Sequence, residues 1–592
     1  MKQFFKMFFA SLLAMIVTGV IIVLFIIGSI AALISKSTSE KTNKVAAGSV
    51  LVIDLQKRVH EQGESNALAV LSDEPSYSAG LYDIIQAIKH AKTDDNIKGI
   101  FIKLSPVNNG WGTIQQVRMA LEDFKTSKKF IYAFGENVTQ GAYYVASVAD
   151  SIYLNPVGAI EIKGFASELA FFKGTLEKLE VQPEIYYAGK FKSATEPFRA
   201  DKISEPNREQ ITAFQHDFWQ QFLLAAAEHT HKDTAAIDQL ALTGAIQFPS
   251  DALNNKIVDG LLYWDQVEQR MHARTGQSDT ADIKYVSLDQ YAENVKLDRK
   301  YSDQKIAVLM AEGEISDGDQ TDPYQIASKT FIEQIRKLRK NDKIKAVVLR
   351  VNSPGGSALA SEVILRELQL LRKKKPLIVS MGDLAASGGY YISCQADSIF
   401  ALPNTITGSI GVFSMLVNIE SLMKNKLGVT FDEVKNAPYA DFPTVSRPLT
   451  ADEAKRMQSS VDTIYEIFKS RVSVGRRLSL ADVDSIAQGR VWSGSRALKI
   501  GLIDGIGNLD RAIASAAKMA NLSNYEVATY PEPVDALQTL IRKFKGNSAD
   551  ASISESIKKE LGIDYQWYEQ IKQWRDNNGK AMMLMPFKIN VN

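Results

Sequence analysis

A chain of 592 residues is too long to fold round one hydrophobic core, and at roughly 100 to 200 residues per domain it holds two or more. Lys and Arg number 69 against 68 Asp and Glu, a formal charge of +1, so the overall balance gives no argument for nucleic acid or another polyanionic partner. The single cysteine, Cys394, excludes an intrachain disulfide framework and a cysteine-built zinc site, and reads as a small core residue.

Residues 7–35 form an uncharged run dense in Ile, Val, Leu and Phe, longer than the roughly 20 residues that cross a bilayer, and they predict an N-terminal membrane anchor within 1–44. The apolar run continues through Ser29, Ala31 and Ala32, which favours a retained span over a cleaved signal peptide. Lys2 and Lys6 on one side and Lys36, Lys41 and Lys44 on the other leave its orientation open. Beyond it, short apolar strands at 49–55, 99–104 and 130–134 flank a helix at 114–125. The same order returns at 306–310 and 346–349 (strands), 360–373 (helix) and 377–380 (strand). Strand and helix alternation of this kind predicts α/β domains with a largely parallel sheet.

The two stretches are copies of one unit. Ile97 aligns with Ile344, an offset of 247. The same offset carries Tyr143 and Tyr144 onto Tyr390 and Tyr391, and Ala149, Asp150, Ser151 and Ile152 onto Ala396, Asp397, Ser398 and Ile399. Further on, 244–259 (GAIQFPSDALNNKIVD) matches 489–504 (GRVWSGSRALKIGLID). The expected division is a first repeat at 45–295, a charged, polar connection, a second repeat at 300–533, and an extension at 534–592 with no counterpart in the first copy and no assigned role.

The copies differ where chemistry is expected. In the second, VNSPGGS (351–357) follows a strand and precedes a helix. Glycines there either form a wall of an oxyanion hole or merely permit a tight turn. The first copy has Asn108 and Asn109 in place of Gly355 and Gly356. In Ala385-Ala386-Ser387-Gly388-Gly389, the serine reads either as an exposed nucleophile or as a helix N-cap. Its partner in the first copy is Gln140. A serine hydroxyl needs a base, yet all six histidines (His60, His90, His216, His229, His231 and His272) precede the second copy. Lysine is the alternative, provided that burial lowers its pKa from about 10.4. Lys192, between Ile185-Tyr186-Tyr187 and small residues, is a candidate that aligns with Ala440.

With GDLAASGGYY (382–391), TGSIGVF (407–413) and GKFKSATEPF (189–198), the chain closely resembles the long, duplicated form of the signal peptide peptidase A family. The resemblance implies tandem Clp protease/crotonase-like domains. It further implies Ser387 as nucleophile, Lys192 as general base, Gly355, Gly356 and Gly388 as the oxyanion region, and Ser409 as the residue that orients the lysine. It implies a Ser-Lys dyad peptidase that uses no metal and no cofactor and degrades cleaved signal peptides. The family's setting is the bacterial cytoplasmic membrane, with a single span and the catalytic domain in the periplasm. The family assembles as a homotetramer in which serine and lysine of neighbouring subunits meet. Lys190 departs from the family pattern: a second ammonium there either depresses the pKa of Lys192 further or points to solvent. Two other classes fit parts of the sequence: an acyl-CoA enzyme of the crotonase type, and a membrane-tethered scaffold with a decayed site.

Overall fold

The computed structural model describes residues 2–40, 45–65, 77–276, 282–297, 301–531 and 579–585. A 39-residue helix, Lys2–Glu40, leads the chain. Many of its side chains lie outside the described residues, and among the described residues no helix is long and apolar enough to cross a membrane. Phe8, Phe9, Leu13, Ile16, Ile21 and Phe25 on this helix are each more than half exposed.

The first half contributes β1 (Ser49–Asp54), β2 (Glu64–Ser65), β3 (Tyr77–Ser78), β4 (Ile97–Lys103), β5 (Phe130–Val138), β6 (Ser151–Ile160), β7 (Gln182–Ala188), β8 (Gly260–Leu261) and β9 (Tyr285–Ser287). The second contributes β10 (Lys305–Glu312), β11 (Glu314–Ser316), β12 (Gln325–Ala327), β13 (Ile344–Ser353), β14 (Gly355–Ser357), β15 (Leu377–Ala386) and β16 (Ser398–Ala401). It continues with β17 (Ile406–Gly408), β18 (Val412–Asn418), β19 (Val491–Ser493), β20 (Gly505–Ile506), β21 (Glu526–Tyr530) and β22 (Met582–Leu584).

The duplication is written in the topology. The first sheet runs β8-β6-β5-β4-β1-β9, and the second repeats that order as β20-β16-β15-β13-β10-β21, every neighbour parallel. The repeated aspartates explain part of the shared sequence. Asp150 accepts from the Ile131 amide and Asp397 from the Leu377 amide, both at 2.9 Å. Asp259 and Asp504 likewise accept from Ile152 and Ile399, both at 2.7 Å. Each carboxylate satisfies a backbone donor at a strand start that the parallel ladder leaves unpaired.

The central strands are apolar throughout because both faces are covered. Along β10, Ala307 and Leu309 join the core on one face while Ile306 and Val308 join that on the other. A third sheet, β12-β11-β14-β22-β18-β7, draws strands from both halves and places the site.

Further ties join the halves. Arg350, fully buried, donates to both carboxylate oxygens of Glu61 at 2.8 and 3.1 Å, and to Ser380 Oγ and the Met381 carbonyl at 2.9 Å. Burial raises the Glu61 pKa, opposed by the Arg350 charge. Asp383 accepts from the amide and hydroxyl of Thr113, capping the helix Trp111–Lys125 from the other half.

Candidate active site

Ser387 follows β15 directly. Its φ of 55° and ψ of −114° lie outside the usual regions for a non-glycine residue, a conformation that surrounding structure must hold in place. Its amide donates to the Gly408 carbonyl at 2.8 Å, and its carbonyl accepts from Tyr391 at 2.8 Å. The N-cap alternative fails, because the Ser387 side chain makes no capping bond to the helix Gly388–Ser393. The hydroxyl lies 2.9 Å from Lys192 Nζ instead.

Lys192 arrives from the other half along β7. That strand pairs antiparallel with β18 from Gln182 opposite Asn418 to Ala188 opposite Val412, and a tight turn then directs Lys192 inward. Gly489, at φ 75°, lets the lysine backbone lie against it, since a Cβ there would stand 2.7 Å from the Lys192 amide nitrogen. Gln210, buried, stitches the loop: it donates to the Phe191 carbonyl and Ser193 Oγ and accepts from the Val491 amide. Gln210 has no signature in the sequence, because one glutamine within the long helix Glu205–Thr230 looks like any other.

Lys192 is 1% exposed and Ser387 and Ser409 are 0% exposed. Removal from water drives the Lys192 pKa well below the ordinary lysine value. The amine also donates to Ser409 Oγ at 3.1 Å and to the Ser409 carbonyl at 3.4 Å. Lys190, two residues back, is exposed, with its ammonium over the Phe191 ring at 5.1 Å.

Gly355 and Gly356, at φ 100° and 156°, pack beside Gly388: a Gly388 Cβ would stand 3.1 Å from both Gly355 Cα and Gly356 N. The loop of the glycine pair and the amide after the serine therefore flank one spot. The buried Gly356 and Gly388 amides, beside a serine and a lysine whose pKa burial lowers, make an arrangement fit for acyl transfer.

Serine and lysine meet within one chain, which corrects the expectation that neighbouring subunits supply them. The first copy's equivalent position is plugged. Gln140 Oε1 accepts from the Lys163 and Gly164 amides at 3.1 Å, and its Nε2 donates to the Gly164 carbonyl at 3.3 Å. Asn109, in place of a glycine, ties down the Leu55 and Lys57 carbonyls and the Val59 amide. Ala440, the counterpart of Lys192, lies in an exposed turn. Cys394 is a buried thiol whose pKa is pushed up to about 12 by burial, an inert core residue as read from sequence.

The sequence matches families of known proteases. The profile of peptidase family S49 matches twice, at 123–278 and 369–523, and that of Clp protease matches 298–407. Protease 4 of Salmonella typhi is 35% identical over 542 residues, covering 89% of this chain and 86% of its own. Protease 4 of Haemophilus influenzae is 32% identical over 580 residues, covering 93% and 94%. The chloroplastic serine protease SPPA of Arabidopsis thaliana is 29% identical over 544 residues, covering 88% and 79%. The chain belongs to peptidase family S49 and is a serine protease with a duplicated α/β domain.

Proposed function

We propose that the chain is a membrane-anchored endopeptidase with a Ser-Lys dyad that degrades cleaved signal peptides at the bacterial cytoplasmic membrane, its catalytic domain on the periplasmic side. The observation that carries the dyad is the 2.9 Å contact between two side chains that are both out of solvent. Neutral Lys192 accepts the proton of Ser387 as Oγ attacks a peptide carbonyl, and the Gly356 and Gly388 amides hold the oxyanion. Ser409 fixes the amine through its hydroxyl. The lysine then protonates the leaving amine, and water activated by the same amine hydrolyses the ester. The signal-peptide substrate rests on the family resemblance and on the apolar N-terminal run, which sets the site beside apolar peptides.

A ring of four chains fits the duplication. Segment 430–436, the second-copy counterpart of β7, and 165–171, the first-copy counterpart of β18, form no strand within the chain. Leu427, Val429, Phe431 and Val434 beside them are exposed. Pairing these two segments head to tail between chains would repeat the β7–β18 contact at each junction.

Digestion of a synthetic signal peptide in detergent, followed by mass spectrometry, tests the reading. Wild type should cut within the apolar region and Ser387→Ala should not. Equal cleavage by both refutes it, and cleavage confined to polar peptides removes the signal-peptide substrate.

A further inference from the structure

The two repeats differ at a second place, the edge of the sheet where the strands begin. In the first copy the starts of β5 and β6 and the end of the helix Trp264–Thr275 border a cavity of about 360 Å³ lined by Lys125, Lys128, Lys129 and Arg274. These four cations face one carboxylate, Asp150, which accepts from the Ile131 amide at 2.9 Å and lies 3.8 Å from Lys125 Nζ. Two of the lysines are held in place. Lys129 Nζ donates to the Ala91 and Asp94 carbonyls at 2.8 and 2.6 Å, and Lys125 Nζ to the Val148 carbonyl at 2.9 Å. Lys128 sits at φ 65°, a left-handed conformation that glycine adopts more readily.

The second copy has apolar residues at two of these positions. Ser398 aligns with Ser151, but the residue opposite it on the ladder is Ile378, where the first copy has Tyr132 lining the cavity. Met519 stands in place of Arg274, at the 245-residue offset that aligns 244–259 with 489–504. Ile378 is buried in a core with Leu509 and Ile513. Two walls of the cavity are thus particular to the copy that the leading helix joins.

Its position suits a membrane surface. β1 begins at Ser49, nine residues after the leading helix ends at Glu40. β1, β4, β5 and β6 are successive parallel neighbours, so at about 4.8 Å per strand the cavity opens roughly 10–15 Å from Ser49.

We propose that this cavity binds the phosphate of an anionic phospholipid headgroup in the leaflet beside the leading helix. This rests on the membrane-anchor reading above. Guanidinium and ammonium groups match phosphate oxygens with charge-assisted hydrogen bonds, and each cation beside an anionic surface strengthens attachment about five-fold. A choline headgroup carries its own ammonium, which the four cations repel. The contact fixes how the first sheet stands on the bilayer, with its strand starts toward the lipid.

Lysine acetylation of the full chain in nanodiscs, mapped by mass spectrometry, tests this. In discs of phosphatidylcholine with phosphatidylglycerol, Lys125 and Lys128 should react at least about five-fold more slowly than in phosphatidylcholine alone. Lys329, exposed on the helix Ser328–Lys340, should react equally in both. The double variant Lys128→Gln, Arg274→Gln, remote from the dyad in sequence and in fold, should restore fast acetylation of Lys125 and cleave peptides at the wild-type rate. Equal reactivity of Lys125 and Lys128 in the two kinds of disc overturns the inference, as does protection of Lys125 that persists in the double variant. Inorganic phosphate added to phosphatidylcholine discs probes for a free anion: protection equal to that by the anionic lipid makes this a site for soluble phosphate and overturns the lipid assignment. If the chain enters discs of neither kind, the anchor reading falls and this falls with it.

Discussion

Replacing Lys192 with methionine separates a catalytic lysine from a structural one. The lysine is buried with its pKa held well below the ordinary value, so between that depressed value and about 10.4 the unfolded chain binds one more proton than the native chain. In that window native stability rises with pH, by about 1.4 kcal/mol per unit, and falls as pH drops toward the depressed pKa. Methionine fills similar volume and titrates nowhere. The Lys192→Met variant should therefore be more stable than wild type near neutral pH, with an advantage that shrinks as pH rises toward about 10.4. Peptidase activity should fall between about 10²- and 10⁴-fold, the contribution of general acid-base catalysis. Thermal melts of both proteins across that range, with peptide hydrolysis on the same samples, read both effects. A stability difference that stays flat with pH would mean that the buried lysine keeps its proton and is no general base.

Gly356→Ala would drive a Cβ to 1.9 Å from the Ile315 carbonyl oxygen, so peptide cleavage should drop by at least about 100-fold as the oxyanion donors shift; a fully active variant would contradict the assignment of this loop. Glu61→Ala strands a fully buried guanidinium, and thermal melts should show a loss of about 3–5 kcal/mol, whereas a paired Glu61→Met, Arg350→Met replacement should lose less. An equal loss in both would mean that packing, not the unpaired charge, sets the effect. Mixing Ser387→Ala with Lys192→Ala chains during assembly should restore no activity, because each chain carries its own dyad; recovery in verified mixed oligomers would contradict that geometry.

The repeat made the fold legible: the strand read at 99–104 overlaps β4 and runs one residue past its end, those read at 306–310 and 346–349 sit inside β10 and β13, and the twin sheet orders follow the 247-residue offset. Ser387 could be singled out because its partner, Gln140, breaks an otherwise kept pattern. What remained hidden depends on pairing between distant segments. Nothing in residues 182–188 announces that they will join β18 rather than a neighbour in their own half, yet that pairing brings Lys192 to Ser387 inside one chain. Asp383 lies in a motif plain in the sequence, but its role as a cap for a helix in the other half exists only once both halves are folded. Met582 to Leu584 is three residues long, too short for any periodicity, and its place in the groove is set by the open edges of β14 and β18.

Catalysis by this site requires that Lys192 activate Ser387. Labelling with a fluorophosphonate, with the modified residue mapped by mass spectrometry across a pH series, tests it most directly. An adduct on Ser387 is expected, with a rate of formation that rises with pH through a value well below that of an ordinary lysine, and almost no adduct in Lys192→Met. Labelling of Ser387 in Lys192→Met at the wild-type rate would contradict it.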